Sequence, residues 1–286
     1  MSEASDLAPQ RAPAVDAEAT RNVLLWVQFD GTDFCGFQKQ LHDRTVAATL
    51  ETAWLKMLGE TVIARSSSRT DSGVHARRMP VLIRTQKDVN PRGLMLGLNS
   101  FLPADLAVQE VVDVPSDFDV RNDAVGKRYV YRLWVAESRA PLWRRYAWQL
   151  RGPLDTAKMQ EAARHLEGVH DFSTFRGAAC VAKSTTRHIR RIQVDASRLP
   201  LVEIEVDGNA FLLNMVRIFA GTLVDVGRGR FQPDDLPGII ASLDRTRAGQ
   251  TAPSHGLTLD EVFYGPAGGR QGLDYKNLLL NMESAR

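Results

Sequence analysis

The chain has 286 residues, 44% of them hydrophobic and 24% charged, which is typical of a globular protein with one large or two modest domains. The net charge of +2 is too small to indicate a partner, and two cysteines are too few for a disulfide framework or a zinc site, which favours a reducing compartment. The six histidines lack metal-ligand spacing, and neither a membrane span nor a secretory signal is visible, so a cytoplasmic protein is predicted.

The first part of the chain predicts a tail followed by strands and one helix. Residues 1–21 are rich in Ala, Pro, Asp and Glu without periodicity, which predicts a disordered tail. A short apolar run at 23–29 predicts a buried strand, and apolar residues at helical spacing after Thr45 predict a helix with Thr45 as its N-cap. Residues 61–65 and 79–85 are predicted as strands on either side of a polar motif.

The second part mixes strands and helices without regular alternation. Strands are predicted at 106–112, 128–135, 188–197 and 200–208. Helices are predicted at 155–166, at 209–226 with an end at Gly227, and after Pro233. This irregular order predicts an α+β fold with a large mixed or antiparallel sheet.

Basic residues are concentrated in two windows. Residues 121–151 contain eight basic and two acidic residues, a net charge of +6, while residues 176–191 contain five basic and no acidic residues. Clustered Lys and Arg indicate a phosphate-binding face, although a solvated strand gives the same pattern. The candidate contacts in the first window are Arg128, Arg139, Arg144 and Arg145.

The stretch SSSRTDSGVHARR, at 66–78, contains the main candidate for chemistry. Asp, Ser and Gly favour turns, so a polar surface turn is one interpretation. Arg69 precedes Asp71 by two residues, and in an extended chain both side chains leave on the same side. A guanidinium at that position orients the carboxylate and keeps it ionised. An ionised Asp71 can serve as a nucleophile or a base, or it can be half of a structural ion pair.

The predicted helix at 209–226 is apolar on nearly all sides and yet contains Asn214 and Arg217. Their spacing of three places them on one helix face, with Ala210 and Gly221. Buried Arg is almost always paired, so Arg217 is expected to reach a carboxylate or an anion-binding cleft, the alternative being an ion pair elsewhere.

Tyr129 follows two basic residues in the first window. An aromatic ring among cations suits a nucleic-acid site, where it stacks on an unstacked base, although Tyr on a strand is more often a core residue. The sequence contains no phosphate-cradling Gly-rich loop, no metal-ligand set and no catalytic Ser–His pair. The residues alone therefore favour a cofactor-free reaction that uses an ionised Asp, without defining the reaction.

The segment SRTDSGVHA, at 68–76, resembles the G-R-T-D-x-G-V-H-A motif of the TruA family of tRNA pseudouridine synthases. Further segments match the family in the expected order: FDGTDFCGFQKQ at 29–40, KRYVYRL at 127–133, DFSTFR at 171–176, the helical segment 209–227 and APSHGLTLDEVFY at 252–264. The resemblance covers residues 23–264, and several ordered motifs over that span are highly specific.

The resemblance implies the pseudouridine synthase fold, in which two similar α+β halves form a mixed, mainly antiparallel sheet with a central cleft. The halves correspond to residues 22–125, which carry the catalytic group, and 126–266, followed by a tail at 267–286. It also implies conversion of uridine to pseudouridine at positions 38 to 40 of the tRNA anticodon stem-loop. The implied enzyme is a homodimer that uses no cofactor or metal, and the basic candidates above become RNA contacts.

Four residues match family positions. By resemblance, Asp71 is the catalytic Asp, and Arg69 pairs with it and helps to displace the target base. Tyr129 stacks on the uracil, and Arg217 holds the carboxylate from the late helix. Asp71 then acts either as a nucleophile on the ribose or as a base at C2′, and the sequence does not choose between these.

The sequence departs from the family pattern at three positions. Ser68 replaces a common Gly, Ser72 a common Ala, and Phe37 a common Trp. The alternatives to the implied function are a related synthase acting on other tRNA or RNA uridines, a non-catalytic RNA-binding protein of the same fold, and an Asp-dependent hydrolase. The hydrolase is disfavoured because the 66–78 stretch contains no second catalytic carboxylate.

Overall fold

The computed structural model describes residues 21–264. The tails predicted at 1–21 and 267–286 lie outside this range, except for Arg21, which begins the first strand. Within the described residues, no helix is both long enough and apolar enough to cross a membrane.

The first half is a three-stranded antiparallel unit with two helices and one short extra strand. β1 (Arg21–Phe29) lies between β3 (His75–Thr85) and β4 (Leu106–Val114), and nearly all of its side chains are buried, as its apolar run predicts. The remaining elements are α1 (Val46–Leu58), β2 (Arg65–Ser66) and α2 (Pro91–Phe101). The Thr45 side chain accepts a hydrogen bond from Ala48 N at 3.4 Å, so the predicted N-cap of α1 is confirmed.

Two local predictions in this half are wrong. Residues 61–64 are not a strand, because the Ala64 N–H donates to Glu51 Oε1 at 3.1 Å instead of to a neighbouring strand. Of residues 61–66, only Arg65–Ser66 pairs with β3. The sequence prediction also omitted α2, whose start is capped by the Asn90 side chain accepting from Gly93 N at 2.8 Å.

The second half contains most of the remaining strands and three helices. Its strands are β5 (Ala124–Val135), β6 (Trp148–Leu150), β7 (Gly168–Asp171), β8 (Thr186–Arg198) and β9 (Leu201–Gly208). Its helices are α3 (Thr156–Arg164), α4 (Met215–Gly227) and α5 (Leu236–Ala241). β8, β9, α3 and α5 match predicted elements, and β5 begins four residues before its predicted start. The short strands β6 and β7 were not predicted, and α4 begins later than predicted.

The start of α4 lies six residues later than predicted, at Met215 instead of residue 209. Asn214 has a positive φ of 61°, and the Leu213 carbonyl accepts a hydrogen bond from Gly177 N at 2.8 Å. These interactions hold residues 209–214 outside the helix, so Ala210 does not share a helix face with Arg217.

The last described strand joins the two halves into one sheet. β10 (Leu257–Tyr264) runs parallel to β3 and antiparallel to β5. The strand order is β4-β1-β3-β10-β5-β9-β8-β7, with β2 paired to β3 and β6 paired to β5. The sheet is therefore mixed and mainly antiparallel, which confirms the predicted fold class, and β3 and β5 flank a strand formed at the end of the described chain.

The two faces of β5 differ in chemistry. Tyr129 and Tyr131 alternate on a face that is buried toward the helices. On the other face, the Arg128 guanidinium makes two 2.8 Å contacts with the Asp207 carboxylate, and Arg132 Nε lies 2.8 Å from Glu203 Oε1. The helix-packed face therefore carries Tyr129, whereas the opposite face is a ladder of ion pairs.

Candidate active site

Asp71 begins the tight turn that leads into β3. The Val74 N–H donates to the Asp71 carbonyl at 3.2 Å, and Gly73 has a φ of +76°, a conformation that favours glycine. The Asp71 side chain is 29% exposed. The turn therefore presents a partly buried carboxylate.

The backbone of the loop after β1 supports this turn. Phe37 N donates to the Thr70 carbonyl at 3.3 Å, and Gly73 N donates to the Phe34 carbonyl at 3.2 Å. A Cβ on Gly36 would lie 2.4 Å from the Thr70 oxygen. The close approach requires glycine at position 36, and it fixes the backbone next to Asp71.

From α4, Arg217 reaches Asp71, the carboxylate that the family resemblance implies. Arg217 Nη1 lies 3.8 Å from Asp71 Oδ2, and it also donates to Asn214 Oδ1 at 2.7 Å. Arg217 Nε donates to the Ala252 carbonyl at 2.8 Å. The guanidinium is thus oriented by two fixed oxygens before it meets the carboxylate.

A glycine on α4 allows the segment that carries Ala252 to lie against the helix. A Cβ on Gly221 would lie 1.9 Å from the Gln250 carbonyl oxygen. Gly249 N also donates to Thr222 Oγ1 at 3.0 Å. The orientation of Arg217 therefore depends on a backbone contact four residues further along α4.

Burial raises the pKa of the Asp71 carboxyl above its ordinary value, and the positive charge of Arg217 opposes that shift. The sequence prediction assigned this ionising role to two arginines. Arg69 is exposed and makes no ion pair with Asp71, so only Arg217 supplies it in this structure. The two-residue spacing of Arg69 and Asp71 therefore does not pair their side chains.

Tyr129 lies beside the same carboxylate. Its side chain is buried, and its ring packs edge-on against Phe211 at 5.1 Å between centroids. Burial raises the pKa of the Tyr129 phenol to about 12, with a smaller lowering by the Ser68 hydroxyl and a further raising by the Asp71 charge. The phenol therefore stays protonated near neutral pH and can donate a hydrogen bond.

The motif buries three hydroxyl groups without hydrogen-bond partners. Ser67, Ser68 and Thr70 are 6%, 3% and 7% exposed, and their hydroxyl oxygens have no partner among residues 21–264. The Ser68 hydroxyl is near the Tyr129 phenol but does not meet it with hydrogen-bond geometry. Buried polar groups are normally paired, so these three hydroxyls are exceptions to that rule.

His75 has a structural role. The Gly31 N–H donates to its Nδ1 at 2.9 Å, so Nε2 carries the proton and faces the carbonyls of Arg145 at 2.8 Å and His255 at 3.1 Å. The imidazole is buried and joins three segments that are distant in sequence.

Lys127 is a site neighbour that the sequence analysis did not select. Its Nζ donates to the Ser67 carbonyl at 2.6 Å, and it lies two residues before Tyr129 on the same face of β5. Burial lowers the pKa of Lys127 to about 8, with a smaller contribution from the charge of Arg121. The sequence signal that could have identified Lys127 is its position two residues before Tyr129.

The four basic candidates are in different environments. Arg128 is paired with Asp207 on the opposite sheet face, and Arg145 Nη1 lies 3.8 Å from Asp30 Oδ2. Arg139 and Arg144 are exposed. Of the four, only these last two present a guanidinium without an acidic partner among residues 21–264.

Within residues 21–264, no three His, Cys, Asp or Glu side chains are grouped to hold a metal ion. The side chains gathered around Asp71 are instead a cationic Arg, a protonated phenol and unpaired hydroxyls. Such a set can hold an anionic carboxylate against a planar ring and supply hydrogen bonds to its edge.

The chain is similar to a described protein family over most of its length. A family model described as tRNA pseudouridine synthase matches residues 25–123 and 162–265. These ranges include Asp71 and Arg217 and leave out Tyr129.

Individual relatives match over nearly their whole lengths. The tRNA pseudouridine synthase A of Geotalea daltonii is 45% identical over 244 residues, which is 85% of this chain and 100% of that protein. The proteins of the same name from Myxococcus xanthus and Ruminiclostridium cellulolyticum are 42% and 38% identical, over 84% and 85% of this chain and 91% and 100% of theirs.

A solved structure, "Crystal Structure of a Cbf5-Nop10-Gar1 Complex", matches more distantly. The TM-score is 0.36 and the identity 12%, over 83% of this chain and 49% of that chain, a likeness too low for comparison of individual elements.

Proposed function

The chain belongs to the tRNA pseudouridine synthase family, and from that premise we propose that it converts uridine to pseudouridine at positions 38 to 40 of the tRNA anticodon stem-loop, with Asp71 as the catalytic carboxylate. The observation that carries this proposal is the 3.8 Å approach of Arg217 Nη1 to Asp71 Oδ2 beside the buried Tyr129 ring. It brings together Asp71 from the first half, Arg217 from α4 in the second half and an aromatic residue from β5.

The reaction breaks the bond from ribose C1′ to uracil N1 and forms a bond from C1′ to C5, while the C5 proton is lost and N1 gains one. The base must first leave the RNA stack, because an A-form stem hides its edges. We assign Arg69 to that displacement, since it is exposed and does not pair with Asp71. Tyr129 would stack on the extruded uracil.

Asp71 needs to be ionised whether it attacks C1′ or removes a proton at C2′. Its burial opposes ionisation, and Arg217 favours it. We therefore assign Arg217 the role of holding the carboxylate charged and oriented in a site that is partly shielded from water.

The working form is proposed to be a homodimer that needs no cofactor, as the family resemblance implies. Analytical ultracentrifugation with and without tRNA tests the dimer. Assays after exhaustive dialysis against a chelator test the need for a metal, and loss of activity there would contradict the proposal.

The test is mass-resolved mapping of pseudouridine in unmodified tRNA after treatment with the purified protein. Asp71→Ala is expected to abolish the product while tRNA binding persists, and Asp234→Ala, which alters an exposed carboxylate on a distant turn, is the matched control. An active Asp71→Ala protein would contradict the assignment of Asp71.

The same map separates the alternatives. Product at uridines other than 38 to 40 would indicate a related synthase with different targets. Tight tRNA binding by the wild-type protein without any product would indicate a non-catalytic RNA-binding protein.

A further inference from the structure

A groove with a volume of about 1120 Å³ opens next to the Asp71 site. It is bounded by α1, by the segment 61–69 and by the turn 118–122, and it does not include Asp71 itself. Ser68 and Arg69 line it, so the groove begins within three residues of the carboxylate. This position leaves room for a part of the substrate that does not react.

The groove is lined by five basic and two acidic residues. The basic residues are Lys39, Arg65, Arg69, Arg84 and Arg121, and the acidic ones are Glu51 and Asp119. Both acids already have partners: Glu51 Oε2 lies 2.8 Å from Lys39 Nζ, and Asp119 Oδ1 accepts from the backbone N–H of Arg121 at 2.8 Å. The groove therefore favours an anion.

Two of these cations have no acidic partner in the part of the chain that the structure describes. Arg69 and Arg121 are exposed, and neither forms an ion pair with another residue of 21–264. They come from two different segments that border the groove. A planar guanidinium binds phosphate oxygens in a two-pronged geometry, and two of them fit a single phosphate of a polynucleotide.

A further cation lies close to Arg121. Lys127, held on the Ser67 carbonyl, adds a positive charge there. The charge at this border of the groove therefore favours a phosphate.

We propose that this groove binds the ribose-phosphate of a nucleotide next to the target uridine in the RNA strand. Arg121 holds the phosphate, in a groove that Arg69 also lines. The proposal rests on the proposed function, since the RNA substrate supplies the strand that passes Asp71. Arg121 was not among the RNA contacts predicted from the basic window.

The protein-side test measures binding of an unmodified anticodon stem-loop RNA by fluorescence anisotropy, in an Asp71→Ala background that prevents turnover. Arg121→Ala is expected to weaken binding roughly tenfold and to lower the salt slope of log Kd by about one. In the active protein it is expected to raise KM with kcat little changed. Arg92→Ala, on the exposed side of α2 and outside the groove, is the matched control.

The RNA-side test uses a series of the same stem-loops, each with one neutral methylphosphonate. One linkage next to the target is expected to weaken binding by the protein with Arg121, and to have no further effect when Arg121 is Ala. The groove proposal is overturned if Arg121→Ala binds like Arg92→Ala, or if every methylphosphonate weakens both proteins equally.

These outcomes are separate from those of the proposed function. Binding is measured without turnover, so the Arg121–phosphate coupling can be present when no pseudouridine is made. Conversely, a wild-type protein that makes pseudouridine without this coupling keeps its function and loses the groove assignment.

Discussion

Arg217→Ala tests how the site keeps its carboxylate charged. Two unit charges at the observed 3.8 Å interact by about 4 kcal/mol at an effective dielectric constant of about 20. The side chains of Arg217 and Asp71 are 18% and 29% exposed, so solvent screening reduces this to about 2 kcal/mol. If that energy favours the ionised Asp71, its loss lowers the rate roughly 30-fold where ionisation is limiting.

The pH dependence expected for the Arg217→Ala variant follows from the raised pKa of Asp71. Burial already raises the pKa of Asp71, and without Arg217 this pKa rises further. The variant is therefore expected to be most impaired at low pH, and to approach the wild-type rate as pH rises through the new pKa and Asp71 ionises. Arg217→Lys keeps the charge, loses the contact with the Ala252 carbonyl, and is expected to be less impaired.

The assay is single-turnover formation of pseudouridine at saturating tRNA between pH 5.5 and 9. Arg228→Ala, at the exposed end of the same helix, is the control, and circular dichroism verifies folding. A rate deficit of Arg217→Ala that is the same at every pH would refute the role in ionisation. Full activity of that variant at the lowest pH would refute the role of Arg217 altogether.

Two further changes probe the scaffold and the RNA face. Gly221→Ala places a methyl group 1.9 Å from the Gln250 oxygen and is expected to cost about 1–3 kcal/mol in urea unfolding and to reduce activity, whereas Gly238→Ala, with open space around it, is expected to be neutral or stabilising. Charge reversal of Arg139 or Arg144 is expected to weaken tRNA binding and flatten its salt dependence, since fewer counterions are released, and an unchanged slope would remove these residues from the RNA face.

Most of the helices and strands were predictable, because residues close together in the sequence are enough to indicate them. Alternation in β5 and the Thr45 cap of α1 depend on neighbouring residues only. The omitted helix α2 has a local start signal at Asn90 and Pro91, but Gly93 and Gly97 lower its helix propensity, and packing against α1 and β4 stabilises it.

The candidate site was predictable in its members and less so in its contacts. An Arg in an apolar helix requires a partner, and the family resemblance identified that partner of Arg217 as Asp71. Arg69 was expected to pair with Asp71 as well, but its side chain is exposed and forms no ion pair with Asp71. Arg121 was missed because the groove that it borders forms only where residues 61–69 meet 118–122.

The place of β10 also affects how the protein is made. Translation delivers β3 early and its parallel neighbour near the end of the described chain, and the His75 ring meets the His255 carbonyl across 180 residues. A nascent chain that stops before β10 lacks the strand between β3 and β5, and the two halves have no shared ladder. The ladder that connects the half with Asp71 to the half with Arg217 is therefore complete only when residues 257–264 have been synthesised, and shorter translation products lack it.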